Sequence, residues 1–396
     1  VDKAYFQQRA DQLHMQLVQW RRHFHMNPEL SYQEHNTQAF IADILSAAGI
    51  RWRKVAGTGL LAEVEGAASG RVVALRGDMD ALPITEVEGR EYGSRNPGVM
   101  HACGHDVHTT CALGALVILN DLRNHWDGHL KVLFQPGEER LPGGATLMIA
   151  DGVLENPSVD VIIAQHVFPD MPAGRVGFCA GEYMACADEI YIAISGKGGH
   201  AALPHLLIDP VLISAHVITA LQQVVSRNAR PGVPVVLSFG NVQANGATNI
   251  IPDVVQLVGT FRCMDEQVRL DLHQKISQTA RGVAQGMGGS ADVRIDLGYP
   301  VLVNDQPLTE ACAAAASEYL GSDAVEKLSF RMTSEDFAWY AQKVPGCFYR
   351  LGTRNEAEGI THGLHTSRFD VDESSLRIGA GLMAWLGWKA LSSPSR

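Results

Sequence analysis

Apolar positions recur at helical spacing over residues 5–24 and again over residues 31–48, with Asn27-Pro28 between the runs and Gly49 after the second. That spacing predicts two helices, broken by the proline and stopped by the glycine. His23 and His25 fall near the break, where helix-end packing is the plainer reading and proximity to a site the sharper one. Apolar runs at 60–65 and 72–75 then predict strands, the second opening into Arg76-Gly77-Asp78-Met79-Asp80-Ala81-Leu82-Pro83. A helix is expected over 109–120. A strand over 130–134 runs into Gln135-Pro136-Gly137-Glu138-Glu139, and one over 160–164 ends in Gln165-His166. Three successive strand ends therefore deliver Asp80, a glutamate pair and a histidine, where open α/β sheets carry their chemistry.

The pattern changes from about Asp188. A strand over 189–195 leads into the flexible loop Gly196-Lys197-Gly198-Gly199-His200, followed by a helix over 209–228 with Pro210 at its start. Strands over 233–243 and 254–263, a helix over 266–286 and a strand over 291–297 complete the order βαββαβ, the ferredoxin-like unit. This reads as an insertion spanning residues 188–297. After Tyr299-Pro300 the chain resumes elements that complete a discontinuous first domain, residues 1–187 and 298–396. There Thr333-Ser334-Glu335-Asp336 predicts a cap for a helix over 337–343. A strand over 348–351 carries Arg350, the loop His362-Gly363-Leu364-His365-Thr366 offers two imidazoles, and residues 392–396 read as a loose tail.

Length agrees with two domains, since 396 residues exceed the ~250–300 at which a single core stops growing. A net charge of −11 without a basic block argues against nucleic acid or an anionic membrane surface as partner. No apolar run reaches the ~20 residues of a membrane span, and the first residues carry no signal-peptide core. Seven scattered cysteines, an odd number, predict reduced thiols and a cytoplasmic protein.

The densest chemistry is His101-Ala102-Cys103-Gly104-His105-Asp106, with His108 two residues on. Thiol and imidazole donors crowded into a glycine-bearing turn suit a transition metal; the bland alternative is a polar loop around a structural cysteine. Five ligand candidates converge: Cys103, His105, Glu139, His166 and His365. Two divalent ions can share five ligands if the Cys103 thiolate bridges them. Such a pair lowers the pKa of water from about 15.7 to about 7 and polarises a carbonyl. Glu138, beside a metal-bound Glu139, suits the base that takes the water's proton. Asp80 fits behind a ligand histidine as acceptor of its other N–H. For Asp106 and His108, loop hydrogen bonding outweighs direct ligation.

Together with Pro136-Gly137-Glu138-Glu139, Gly196-Lys197-Gly198-Gly199-His200 and Leu364-His365, these motifs strongly resemble the N-acyl-amino-acid amidohydrolases. That group includes the hippurate and auxin-conjugate hydrolases and related metallo-carboxypeptidases of the aminoacylase superfamily. The resemblance runs in order along nearly the whole chain. It implies an α/β fold: a metallopeptidase catalytic domain on a helix-flanked mixed sheet, with the insertion as a lid or dimerisation domain. It also implies Cys103, His105, Glu139, His166 and His365 as ligands and Glu138 as general acid/base. His200 becomes an oxyanion contact, in its own site or across a dimer. Asn249, Arg262 and Arg350 become groups for the substrate carboxylate and carbonyl, with a surface ion pair as the alternative for a lid arginine.

The implied reaction is hydrolysis of N-acyl-L-amino acids with two divalent ions per subunit, zinc first, then manganese, cobalt or nickel, in a homodimer or higher homo-oligomer. Peptide carboxypeptidase or dipeptidase activity would use the same machinery. A cysteine hydrolase with Cys103 as nucleophile and a non-catalytic metal-binding or ligand-sensing relative are the remaining alternatives; the surplus of ligands argues against the first and the spare Glu138 against the second.

Overall fold

The computed structural model describes residues 1–393. Helix α1 (Lys3–Met26) is capped by Asp2, whose side chain accepts from the Tyr5 N–H, and α2 (His35–Ala47) stops before Gly49. The second helix starts four residues later than the periodicity predicts, leaving 31–34 as an ordered turn that matters below. An edge strand that sequence reading did not anticipate, β1 (Arg51–Val55), forms a hairpin with β2 (Gly59–Glu65). Its Arg-Trp-Arg-Lys-Val sequence leaves most side chains exposed and has no apolar run; charge on an edge strand also discourages pairing with other chains.

Next come β3 (Val72–Asp78), α3 (His105–Asp121), β4 (His129–Gln135), α4 (Gly144–Ala150), β5 (Val161–Pro172), β6 (Val176–Phe178) and β7 (Gly181–Met184). Two corrections concern function. Helix α3 begins at His105, not at residue 109, so this histidine is its first residue. Strand β5 extends to Pro172, so His166 lies inside the strand and not past its end.

The chain then forms β8 (Asp188–Ser195), β9 (Gly199–His200), α5 (Pro210–Gln223), β10 (Val235–Ala244), β11 (Ile250–Ile251), β12 (Val254–Cys263), α6 (Glu266–Gly286) and β13 (Ser290–Leu297). It returns through β14 (Leu302–Asn304), α7 (Gln306–Leu320), β15 (Val325–Lys327), α8 (Ala338–Ala341), β16 (Gly346–Arg354) and α9 (Ser374–Leu391). The helix expected over 337–343 is this short α8, and no side chain caps it. Asp336 is spent elsewhere: Arg76 and Gln135 donate to it, as does the Ala145 N–H.

The chain divides into two compact units. One comprises Val1–Gly181, Val303–Ser329 and the segment from Asp336 onward; the other comprises Glu182–Leu302 and Phe330–Glu335. The first holds an eight-stranded mixed sheet in the order β1-β2-β4-β3-β5-β16-β6-β15. Its central strands β4, β3, β5 and β16 run parallel. Every residue of β3 and β4 is buried, as expected of parallel strands covered on both faces. Lys131 is tolerated inside β4 because its ammonium donates to the carbonyls of Val153, Glu155 and Pro157. Helices α1, α3 and α9 pack on one another, and α3 and α9 on β3 and β5.

The second unit is a four-stranded antiparallel sheet, order β10-β12-β8-β13, with α5 and α6 packed on it. On β8, Ile190, Ile192 and Ile194 face the core with the period of two that a half-covered strand requires. They meet helical stripes at four-residue spacing, Ile213-Val217-Leu221 on α5 and Leu272-Ile276-Ala280 on α6. Each fully buried Ile or Leu contributes about 1.5–3 kcal/mol. Asp209, at the start of α5, accepts from the Val211 and Leu212 N–H groups, with Pro210 at the first helical position.

Candidate metal centre

Strand β3 ends at Asp78, and two residues later Asp80 organises two of the segments that carry candidate ligands. Its Oδ1 lies 3.1 Å from Nδ1 of His105; its Oδ2 accepts from the Ser31 hydroxyl at 2.6 Å and from the Glu139 N–H at 3.0 Å. A carboxylate only accepts here, so Nδ1 of His105 carries a proton, and Nε2 is the atom left to offer its lone pair once a metal ion takes the place of the second ring proton. That Nε2 is buried and hydrogen-bonds to nothing; Asp78 Oδ2 is 3.6 Å away and Glu139 Oε1 4.0 Å.

Cys103 lies at the centre of the remaining donors. Its Sγ is 3.4 Å from Nε2 of His166 and 3.4 Å from Nε2 of His365. Nδ1 of His166 is 2.8 Å from the Val167 carbonyl, an acceptor, so this ring too points a lone pair at the sulfur. Gly104 makes the turn into α3 at φ +82°; a Cβ there would stand 2.5 Å from the Val167 side chain. His365 itself is held at φ +59°, its N–H donating to the Ala102 carbonyl at 2.8 Å. Positive φ in a non-glycine residue is a sparsely populated conformation that persists where surroundings impose it. Two donor triads result, Cys103-His105-His166 and Cys103-Glu139-His365, each with its ligand atoms within 4.8 Å of one another and with Cys103 common to both.

The electrostatics of the pocket favour a cation. Burial alone would lower the His105 pKa, but the Asp78, Asp80 and Glu139 carboxylates outweigh it and hold it up at about 10. Burial, with Glu139 and Glu138 beside it, pushes the Cys103 thiol well up; a bound divalent ion reverses that sign and leaves a thiolate. Burial, reinforced by His108 and Arg350, pushes His166 well down, which suits a neutral ligand. Glu139 Oε1 is a second buried atom without a hydrogen bond, with Nε2 of His365 3.3 Å away. Thiol, imidazole and carboxylate donors with buried, unpaired atoms on Nε2 of His105 and Oε1 of Glu139 fit borderline divalent metals.

Glu138 is buried beside this set, an oxygen of it within 4.8 Å of ligand atoms of His105 and Glu139; the Asp336 N–H donates to it at 3.4 Å. Its strand-end turn is built by residues that sequence reading passed over. Glu34 accepts from the Gly137 N–H at 2.8 Å, from the Tyr32 N–H at 3.0 Å and from the Thr58 hydroxyl. Gly137, at φ +60°, lies under Tyr32; a Cβ would fall 2.2 Å from the ring. The polar run Ser31-Tyr32-Gln33-Glu34, placed inside the helix by periodicity, was the available signal.

His108 makes no ligand. Its Nε2 accepts from the Val167 N–H at 2.9 Å, which puts the proton on Nδ1, 2.6 Å from Asp78 Oδ1. Asp106 likewise is engaged, accepting from Arg21 at 2.9 Å with His25 Nδ1 2.7 Å away. His25 is therefore neither simple helix-end packing nor a ligand: it is fully buried against Asp106 and Glu86.

Arg350 is buried on β16, its guanidinium 5.2 Å from the Phe348 ring centroid. The other three expected site residues belong to the second unit. His200 and Asn249 are neighbours there: His200 pairs with Ile250, and the Ala201 N–H donates to the Asn249 carbonyl. Arg262 lies on β12, half-buried, and donates to the Ser334 hydroxyl at 3.2 Å; burial lowers its pKa.

Comparison with known proteins adds an independent line. Residues 74–386 match the model of peptidase family M20/M25/M40. An N-acyl-L-amino acid amidohydrolase of Geobacillus stearothermophilus is 42% identical over 296 residues, covering 74% of this chain and 80% of that protein. An N-acetyl-L-cysteine deacetylase of Bacillus subtilis is 38% identical over 372 residues, 92% of this chain and 85% of its own. The crystal structure of a Bacillus subtilis dinuclear metal-binding peptidase from the M20 family superposes with a TM-score of 0.81 at 33% identity, covering 98% of each chain. A buried set of thiol, imidazole and carboxylate donors, and a family match that spans it, lead to one assignment: the chain belongs to peptidase family M20/M25/M40.

Proposed function

We propose that the protein hydrolyses the amide bond of N-acyl-L-amino acids, releasing a carboxylate and the free amino acid. The observation that carries this reading is the pair of donor triads sharing Cys103, with Glu138 buried at their edge. Cys103, His105 and His166 would hold one divalent ion, and Cys103, Glu139 and His365 a second; zinc heads the list, with manganese, cobalt and nickel behind it. When bound, the ions supply Lewis acidity and a water of lowered pKa. Asp80 keeps His105 in the tautomer that offers Nε2, and the Val167 carbonyl does the same for His166. Glu138 takes the proton of the attacking water and returns it to the departing amide nitrogen. The names of the two amidohydrolase relatives support an N-acyl amino acid as substrate.

The family resemblance supports roles for residues of the second unit. Its strand order and helix pair support a ferredoxin-like lid or dimerisation domain over 188–297 in a homodimer or higher oligomer. His200 would donate to the developing oxyanion, Asn249 would contact the substrate carbonyl, and Arg262 or Arg350 would receive the α-carboxylate, since a planar guanidinium binds it bidentately. Among the described residues no helix is long and apolar enough to cross a membrane, and none of the seven cysteines is in a disulfide; the latter is compatible with a reducing cytoplasm. A hydrolysis screen over N-acyl-L-amino acids, their carboxamides and dipeptides, with metal content measured on the same preparation, tests the reading. Turnover of N-acyl amino acids, loss on chelation and poor turnover of carboxamides are expected. Preference for dipeptides would favour the peptidase alternative, and activity without metal would overturn the mechanism.

A further inference from the structure

Beside the metal centre lies a charged cluster that the proposed reaction does not use. Arg21, fully buried on α1, donates to three carboxylates at once: Asp106 through Nε at 2.9 Å, Asp370 through Nη2 at 2.9 Å and Glu373 through Nη1 at 3.4 Å. Asp106 is the residue next to His105. Asp370 lies five residues after His365 in the same loop, which runs from β16 to α9. Asp370 also receives the Tyr92 hydroxyl at 2.8 Å and lies 3.2 Å from Nε of Arg90. Arg90 in turn pairs with Glu86, and the Tyr92 ring lies against the guanidiniums of Arg21, Arg22 and Arg90. The same strand of chain is stitched to the His365 loop through its backbone, the Val87 N–H donating to the Ser367 carbonyl at 3.0 Å.

The five donor residues are unequally supported. His105 opens a helix and His166 lies inside a strand, both buried. Glu139 is fixed by its backbone N–H on Asp80. His365 belongs to no helix or strand, its side chain is 53% exposed, and its φ is +59°. A ligand on such a loop loses more freedom on binding than one already fixed, so whatever holds the loop in place strengthens the ion bound there.

We infer that the Arg21-Arg90-Tyr92 cluster on Asp370 is a positioning strap for His365, and that it sets the affinity of the ion in the Cys103-Glu139-His365 triad separately from that in the Cys103-His105-His166 triad. The inference rests on the two-metal reading above. Arg90 and Tyr92 touch none of the donor atoms; they act through Asp370. Arg21, which also holds Asp106, couples the strap to the helix carrying His105 and is too buried for a clean test.

The test is equilibrium titration of the metal-free full-length protein with Zn²⁺ in competition with a chromophoric chelator, comparing wild type with Arg90→Met, Arg90→Lys and Tyr92→Phe. Wild type is expected to bind two equivalents of unequal affinity. Arg90→Met should weaken the weaker equivalent by about tenfold or more, the range seen when groups behind a ligand are removed, while leaving the tighter one unchanged. Arg90→Lys should restore part of the loss. Tyr92→Phe deletes one hydroxyl, and its smaller shift in the same equivalent carries the test if Arg90→Met fails to fold. Unchanged affinities, or equal weakening of both equivalents in step with a lowered Tm, would overturn the strap while leaving the metal reading standing. A wild type binding fewer than two equivalents would sink that reading and the strap with it.

Discussion

Asp80 faces His105 across 3.1 Å, carboxylate oxygen to Nδ1, and with its other oxygen holds the backbone N–H of Glu139. One side chain thus fixes a member of each donor triad. Burial works against a charged Asp80, yet the His105 ring, the Ser31 hydroxyl and the Glu139 N–H outweigh it and keep its pKa below the ordinary value. Removing a partner behind a metal ligand typically costs 10–100-fold in affinity. Asp80→Ala should therefore weaken both equivalents of Zn²⁺ by about that factor in a chelator-competition titration. This separates it from the Arg90 variant, which should weaken one. A titration curve matching wild type would remove Asp80 from the site.

Glu138 and Glu139 are consecutive in sequence but should fail in different ways when changed. Glu139 has an unpaired buried oxygen facing His365, whereas Glu138 accepts from the Asp336 N–H at the margin of the donor set. Glu138→Gln should leave metal content near two per chain and lower kcat by about 10²–10⁴-fold, the contribution typical of a general acid/base. Glu139→Gln should lose metal first and activity as a consequence. Measuring kcat and bound metal on the same samples distinguishes them. Near-normal kcat in Glu138→Gln would exclude it as the proton carrier.

Much of the candidate site was legible because its residues are chemically conspicuous and follow apolar runs or a glycine turn: Asp80 after β3, the glutamate pair after β4, Cys103 and His105 on either side of Gly104. The supporting layer was not, because its residues are ordinary polar types whose role comes from contacts remote in sequence. Arg21 reaches Asp106 across 85 positions and Asp370 across 349. Ser31 and Glu34 were hidden in an apparent helix, since periodicity registers apolar spacing and does not see a polar turn folding back on a strand end. Strand β1 was missed for the opposite reason: three of its five residues are charged, and its two apolar residues are not adjacent. The α5 and α6 stripes, by contrast, repeat every four residues and are visible directly.

Asp188 in the second unit gives an acid-dependent stability prediction. Its carboxylate is buried and receives Arg269 at two nitrogens and the Gly298 N–H, with His273 Nε2 2.9 Å away. Burial raises its pKa, but His273 and Arg269 outweigh that and hold it below the ordinary carboxylate value. A folded pKa below the unfolded ~3.9 means the contribution is fully present above that pH and lost as pH falls through the lower folded value. Asp188→Asn should destabilise the protein by about 3–5 kcal/mol at neutral pH, the cost of leaving a buried partner uncompensated. Its stability should also fall less steeply than wild type below about pH 4. Denaturant midpoints from pH 2 to 7 would show both effects; parallel curves would place the acid sensitivity in another group.

His200 offers the sharpest test of the second unit's part in chemistry. The Ala202 N–H donates to its Nδ1 at 3.1 Å, so the neutral ring carries its proton on Nε2, and the residue is exposed on β9. An Nε2–H donor on an exposed, glycine-preceded strand is suited to meeting a developing oxyanion, and losing one such donor costs about 10²–10³ in kcat. His200→Ala should therefore bind two equivalents of Zn²⁺ like wild type while turning over that much more slowly, with KM little changed. Co-refolding it with Glu138→Gln decides where the donor acts. If His200 serves the partner subunit, a mixed dimer pairs one intact Glu138 with one intact His200 in a single site, and activity should rise well above either variant alone. If it serves its own chain, each mixed dimer contains one site lacking each group and gains nothing. Wild-type kcat in His200→Ala would end its assignment as an oxyanion donor.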